Sequence, residues 1–206
     1  MHKPDVNTET LIYEAAKRVF LKRGMSGARM QEIADEAGIN KALLHYYFRT
    51  KERLFDEVCK DTLGQLLPEL IKLMSSDIDL EEKIYLFFHN HISFLQNNPF
   101  LPAFIINELN QNSARIEELL MKDLPFRNFR FYSQLQEKIA NGTFIEISPV
   151  QFIINLLAWS VFPFVAKPLL KVLMFNFSEQ NFEDIIENRK KMLPQMFINS
   201  LRKLNT

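Results

Sequence analysis

The segment at residues 38–55, GINKALLHYYFRTKERLF, concentrates side chains that could bind an anionic polymer. Lys41 is followed by three polar-tipped rings in a row, at His45, Tyr46 and Tyr47, and then by a basic cluster. A core helix would not turn three such rings toward its own interior, whereas their polar tips could donate hydrogen bonds to phosphates. These residue types at this spacing therefore favour contact with nucleic acid.

Two short helices and a turn must position these side chains. A helix is predicted over residues 30–37, and Gly38 ends it. Asn40 is a good N-cap for a second short helix over residues 41–47. Two helices of about two turns joined by a glycine-containing turn make a helix-turn-helix. Thr50 is expected to cap the helix that follows, with Lys51 at its first position.

Helical periodicity continues through the rest of the chain, and strand alternation is scarce. The sequence therefore predicts an all-α protein of about nine helices. The run FIINLLAWSVFPFVA at residues 152–166 predicts a helix that is buried on all sides. Further helices are predicted at residues 8–23, at 51–74 with a bend at Pro68, and from an Asp79 cap to about Leu95. Three more are predicted at 98–110, at 113–140 with a break at Pro125, and at 179–203.

The stretch MQEIADEAGINKALLHYYFRTKERLF resembles the DNA-binding segment of TetR-family (tetracycline-repressor-like) transcription regulators. In that family, a helix that ends in an Ile-Ala and Ala-Gly pattern is followed by a turn at the glycine. The next helix contains Lys, Leu and Tyr and ends in Phe, and a further lysine follows it. Ile33–Ala34, Ala37–Ile39, Asn40–Phe48 and Lys51 match this pattern. The resemblance covers about residues 8–55. In it, Leu44 and Phe48 are expected to anchor the core.

The resemblance implies an N-terminal three-helix DNA-binding head at residues 1–50. A helical body for ligand binding and dimerisation is then expected at residues 51–206. It further implies a homodimeric regulator, with a repressor favoured over an activator, that binds double-stranded palindromic operator DNA. A small, largely hydrophobic effector would release the DNA. We expect the homodimer to form through the last two predicted helices, the apolar one that includes residues 152–166 and the final one at residues 179–203, packed as a four-helix bundle.

The recognition helix of such a motif shows its N-terminal residues to base edges in the major groove. Lys41 could reach guanine or a phosphate, and Ala42 and Leu43 could meet a thymine methyl group. The family often has two threonines at the start of the second helix, where this chain has Ala28 and Arg29, and its usual tyrosine is His45 here. The expected DNA-binding residues are Arg29, Asn40, Lys41, Ala42, Leu43, His45, Tyr46, Tyr47 and Lys51.

Polar side chains on apolar helix faces are the candidate effector contacts in the body. The alternative is that each belongs to the core or to the dimer interface. The predicted ligand-binding residues are Cys59, Leu66, Phe88, His91, Phe104, Asn107, Trp159 and Phe162.

Composition excludes several other classes. The chain has 206 residues, one cysteine and no formal net charge, which argues against a strongly basic nucleic-acid coat and fits a reducing cytosol. A polar N-terminus and the lack of an apolar run of about 18 residues predict a cytoplasmic protein with no membrane segment.

No enzyme, cofactor or metal site is expected from the sequence. It shows no nucleophile–base motif and no phosphate loop. His89 and His91 are two residues apart, whereas a zinc pair on a helix prefers a spacing of four. The alternative function is a helical small-molecule-binding or adaptor protein with weak or no DNA binding, which the neutral charge leaves open.

Overall fold

A computed structural model describes residues 6–99, 101–107, 109–110, 114, 129–174 and 177–203. Within these ranges the chain is helical, apart from its turns and one isolated antiparallel bridge between Phe144 and Arg202. The predicted all-α class is confirmed. The named helices are α1 (Val6–Gly27), α2 (Met30–Glu36), α3 (Lys41–Tyr47), α4 (Lys51–Ser75), α5 (Leu80–Asn97), α6 (Arg130–Ala140), α7 (Pro149–Val165), α8 (Lys167–Leu173) and α9 (Glu179–Leu201), and residues 101–107 are also helical.

The helix starts follow the local signals in the sequence. The side chains of Asn40, Asp79 and Ser148 accept hydrogen bonds from main-chain N–H groups in the first turns of α3, α5 and α7. Such caps satisfy donors that have no partner inside the helix. The predicted break at Pro125 lies outside the described residues, as does most of the predicted helix over 113–140.

The chain packs as two compact units. The first unit comprises residues 1–66 and 103–123, and the second comprises residues 67–102 and 124–206. The boundary falls inside α4, later than residue 50, because Leu54, Phe55 and Val58 of that helix are buried. A functional division at residue 50 stays a prediction.

The core of the first unit forms where α1 meets α2, α3 and the start of α4. The rings of Phe20 and Phe55 meet edge to face with centroids 5.1 Å apart, and Phe104 packs on the other side of Phe55 at 5.6 Å. Helical spacing in the sequence predicts an apolar stripe on α1 at Leu11, Ile12, Ala15, Ala16, Val19 and Phe20, and the stripe is buried except at Leu11, which is half exposed. Leu11 lies at the edge of the stripe, one residue before the fully buried Ile12.

The core of the second unit is rich in phenylalanine. The Phe197 ring of α9 lies 5.6 Å from that of Phe88 on α5, and 5.3 and 5.4 Å from those of Phe152 and Trp159 on α7. The spacing of the sequence predicts an inward face of α5 at Ile84, Phe87, Phe88, His91, Ile92 and Leu95, and all of these residues are buried. Face-to-edge contacts of this kind add to the burial of large apolar surfaces.

The prediction that α7 is buried on all sides is wrong for the single chain. Val150 is 65% exposed, Ile154 is 52% exposed and Phe162 is 57% exposed. The helix packs on α5 and α9 through one face, and no described residue covers the other. Exposed apolar side chains also occur on α8 and α9, at Leu169, Val172, Leu173, Met192 and Met196.

Among the described helices, none alone has the length and hydropathy to cross a membrane. The bent pair of α7 and α8, which meet at 66°, passes that test by length and composition only.

Candidate nucleic-acid interface and ligand-binding residues

The turn between α2 and α3 is built around Gly38. Its φ of 68° lies in the left-handed region that favours glycine. The N–H groups of Gly38 and Ile39 donate to the carbonyls of Asp35 and Ala34 at 3.2 and 3.0 Å. The end of α2 is thereby closed, and α3 starts in a new direction two residues later.

Helix α3 has one buried side and one exposed side. Leu44 is fully buried and Phe48 nearly so, which confirms both as the anchors of the motif. Tyr46 is 61% exposed, and its ring lies edge to face against that of Tyr47 at 5.5 Å. Among the other predicted DNA contacts on α3, Lys41, Ala42 and His45 are exposed, and Leu43 and Tyr47 are half-buried.

Asn40 acts as the N-cap of α3. Its side-chain oxygen accepts a hydrogen bond from the Leu43 N–H at 2.8 Å. The oxygen is therefore engaged within the protein, and the NH₂ group is the part of the side chain left to address DNA.

His45 is oriented by the main chain. Its Nδ1 lies 3.3 Å from the carbonyl oxygen of Arg49. A carbonyl only accepts, so Nδ1 carries the proton in this contact, and Nε2 of the neutral ring is an acceptor. The neutral ring thus suits an amino group on a base edge, whereas a phosphate contact through Nε2 needs the protonated ring.

Two further basic residues flank α3, and they differ in exposure. Arg29 precedes α2, its side chain is exposed, and it forms no ion pair within the described part of the chain. Lys51 is half-buried, and its amine donates to the carbonyls of Met25 and Ala28 at 2.8 and 3.2 Å. The sequence could not indicate this contact, because the partners lie more than 20 residues away along the chain.

Comparison with known proteins matches this region to a family. Residues 12–58 match the family model of "Bacterial regulatory proteins, tetR family". The solved structure of HlyIIR, a hemolysin II transcriptional regulator, covers 96% of this chain and 98% of its own, with a TM-score of 0.64 and 26% sequence identity. The helix-turn-helix segment of this chain therefore matches the tetR family.

Two curated relatives from Bacillus subtilis extend the likeness. The "Probable HTH-type transcriptional regulator YttP" is 23% identical over 173 residues, which are 82% of this chain and 83% of the relative. The "Fatty acid metabolism regulator protein" is 24% identical over 107 residues, 52% of this chain and 55% of the relative. The chain is thus similar to DNA-binding regulators well beyond the region of the family model.

Three of the predicted ligand-binding residues converge in the second unit. Phe88 and Trp159 both contact the Phe197 ring, and Nδ1 of His91 lies 3.0 Å from the Ser160 hydroxyl. Burial lowers the pKa of His91 to about 4, so the ring is neutral at pH 7. The arrangement places one polar pair inside an aromatic cluster.

The other predicted ligand-binding residues do not join that cluster. Cys59, Phe104 and Asn107 belong to the first unit, where Cys59 and Phe104 are buried. Phe162 faces outward on α7. The side chain of Leu66 lies outside the described residues.

A main-chain carbonyl in α7 has an unusual partner that sequence reasoning missed. Proline at position 163 has no N–H to donate to the carbonyl of Trp159, four residues earlier. A guanidinium N–H of Arg189 on α9 donates to that carbonyl instead, at 2.7 Å. The signal available in the sequence is Pro163 itself, since a proline inside a helix predicts a carbonyl in need of a donor.

A buried lysine was also missed. The Lys83 amine donates to the Gln134 side-chain oxygen at 2.7 Å and to the Met74 carbonyl at 3.3 Å, and the Gln134 amide donates to the Ile78 carbonyl at 2.7 Å. Burial, then the charge of Arg130, lowers the pKa of Lys83. These contacts tie the end of α4 and the turn after it to α5 and α6. Lys83 occupies the buried face of α5 between Leu80 and Ile84, a spacing that could have indicated burial.

Proposed function

We propose that this chain is a dimeric transcriptional regulator that reads operator DNA with α3 and leaves it when a small, largely hydrophobic ligand binds. The observation that carries the proposal is the two-sided α3. Leu44 and Phe48 fix it to the core, while the side chains of Lys41, His45 and Tyr46 are exposed to solvent. A helix in that position can enter the major groove with its first residues on base edges.

The exposed side chains divide into readers and positioners. Lys41 is the first residue of α3 with a long side chain that can donate hydrogen bonds. A good bidentate contact to a base contributes roughly 1–3 kcal/mol to discrimination between bases, and a single ammonium group is expected at the lower end of that range. Ala42 and Leu43 suit a thymine methyl group. Tyr46 and Tyr47 can donate to phosphates on the groove walls, which orients the protein without reading sequence.

DNA binding is tested by a gel shift with fragments from upstream of the chain's own gene. The natural protein is expected to retard one palindromic fragment, with an affinity that falls steeply as salt rises. Lys41→Ala should weaken this binding several-fold, whereas the charge-matched control Lys60→Ala, on the exposed side of α4, should not. No retarded fragment at low salt would favour a binding or adaptor protein without a DNA target.

We place the effector site at the cluster of Phe88, His91 and Trp159. The aromatic surroundings suit an apolar ligand, and the His91–Ser160 pair offers a single polar feature to orient it. The similarity to a fatty acid metabolism regulator supports acyl compounds as the first class to test.

Trp159 is the only tryptophan in the chain, so it is a built-in probe of this site. Titration with a long-chain acyl compound should change its fluorescence at the same concentration that releases DNA. Phe88→Ala should shift both curves together, and Leu86→Ala, at an exposed side chain of the same helix, should shift neither. DNA release without any fluorescence change would place the effector elsewhere.

We further propose that α4 is the hinge between ligand and DNA. The boundary between the two units, after residue 66, lies between Gly64 and Pro68. Pro68 cannot donate to the Gly64 carbonyl, which weakens the helix at that point. An effector acts only through its different affinity for the two states. Unchanged ligand-induced release in Pro68→Ala would refute the hinge.

A further inference from the structure

The amine of Lys51 is turned back into the protein. It lies in the first turn of α4 and donates to the carbonyls of Met25 at 2.8 Å and Ala28 at 3.2 Å. An ammonium group has three N–H donors, so the main chain engages two of them. The side chain is half-buried, as a contact of this kind requires.

Gly24 creates the turn that Lys51 holds. The φ of 69° and ψ of 175° at Gly24 interrupt α1, and the Ala28 N–H then donates to the Gly24 carbonyl at 3.2 Å. Carbonyls at the end of a helix carry partial negative charge and bind cations favourably. The Lys51 amine therefore stabilises one specific path of the chain from α1 to α2.

That path decides where Arg29 points. The Ala28 carbonyl gripped by Lys51 belongs to the peptide bond that leads into Arg29, whose backbone is extended at φ −117° and ψ 139°. The Arg29 side chain is exposed and forms no cap bond to α2. Fixing this peptide fixes the direction in which the guanidinium leaves the backbone.

We propose that Lys51 is a positioning residue that sets a phosphate contact of Arg29 and does not bind the DNA backbone itself. This inference rests on the proposed DNA-binding function. If the Lys51 amine swung out to a phosphate, both of its hydrogen bonds would break and the turn before Arg29 would lose its cation. Arg29 has no such internal partner within the described residues and is available to DNA.

The salt dependence of DNA binding separates the two roles, with the full chain and an upstream fragment that the natural protein retards. Each lost phosphate contact lowers the slope of log Kd against log KCl concentration by about 0.9. Because the proposed dimer carries two copies of each residue, Arg29→Met should lower the slope by about 1.8. Lys51→Met added to Arg29→Met should lower it no further, and a further fall of about 1.8 would overturn the proposal.

Two measurements guard this test. Lys60→Met removes the same charge from an exposed position of α4, and its slope should equal that of the natural protein. Hydrogen exchange without DNA should show faster exchange at Met25–Arg29 in Lys51→Met, with α3 and α5 unchanged. Unchanged exchange at the turn would refute the positioning role. A natural protein that retards no duplex at low salt would refute the proposed function, while the exchange experiment would still decide whether Lys51 holds the turn.

Discussion

The bond from Arg189 to the Trp159 carbonyl predicts an energetic coupling with Pro163. Arg189 supplies a donor only because Pro163 cannot. In Pro163→Ala the helix regains its own N–H at that position, so the arginine becomes partly redundant. Removing Arg189 should therefore cost less stability in Pro163→Ala than in the natural chain.

The size of the coupling follows from the contact. A hydrogen bond from a charged donor contributes roughly 1.5–3 kcal/mol, and the half-buried position of Arg189 favours the low end. Arg189→Met keeps the aliphatic stem and removes the donor. We expect a cost of about 2 kcal/mol in the natural chain and about 1 kcal/mol in Pro163→Ala, which is a coupling of about 1 kcal/mol.

Urea unfolding of the four proteins of this double-mutant cycle measures the coupling. Circular dichroism is the suitable signal, because the single tryptophan lies at the site of the change. All four proteins need the same chain concentration, because the proposed dimer would contribute to the stability. Lys191→Met, an exposed neighbour on α9, is the matched control and should show no coupling with Pro163→Ala. Costs for Arg189→Met that agree within about 0.3 kcal/mol in both backgrounds would refute the reasoning.

Three other predictions follow from buried or exposed groups. The pKa of His91 lies near 4 in the folded protein and near 6.5 in the unfolded chain. Its contribution to the free energy of unfolding therefore falls as the pH drops from about 6.5 to 4, by about 3 kcal/mol at most. His91→Gln should remove that part of the pH dependence in denaturation curves. Lys83→Met should cost about 2 kcal/mol by leaving the Gln134 oxygen without a donor, and it should cost less in a Gln134→Leu background, where that oxygen is absent; equal costs in both backgrounds would contradict this. Ile154→Glu should yield monomers in sedimentation experiments, while Gln136→Glu, at an exposed position of α6, should not; a dimeric Ile154→Glu protein would move the dimer contact away from α7.

Local signals made the DNA-binding region predictable from sequence. The bounds of α3, the Asn40 cap and the burial of Leu44 and Phe48 all follow from residues within a few positions of one another. Capping and turn preferences act at that range, so no knowledge of the rest of the fold was needed. The inward face of α5 was predictable for a related reason, because helical periodicity alone defines it.

Contacts between distant segments were not predictable in this way. The sequence suggested Lys51 as a contact to DNA, but its amine binds carbonyls near the end of α1. Likewise, the uniformly apolar sequence of α7 predicted complete burial, whereas α5 and α9 cover only one face of it. An apolar composition indicates that a helix surface must be buried, but it does not indicate whether the same chain buries it.

The boundary between the two units lies inside α4, which limits how segments of this protein can be recombined with those of other proteins. Phe55 lies beyond the helix-turn-helix motif, yet its ring contacts both Phe20 and Phe104, and Phe104 comes from a later stretch of the chain. A chimera that joined residues 1–50 to a foreign body would remove Phe55 and Phe104 from the core around Phe20. Under the proposed function, DNA specificity is therefore better transferred by replacing the exposed side chains of α3 in place, because recombination at the edge of the motif would destabilise the first unit.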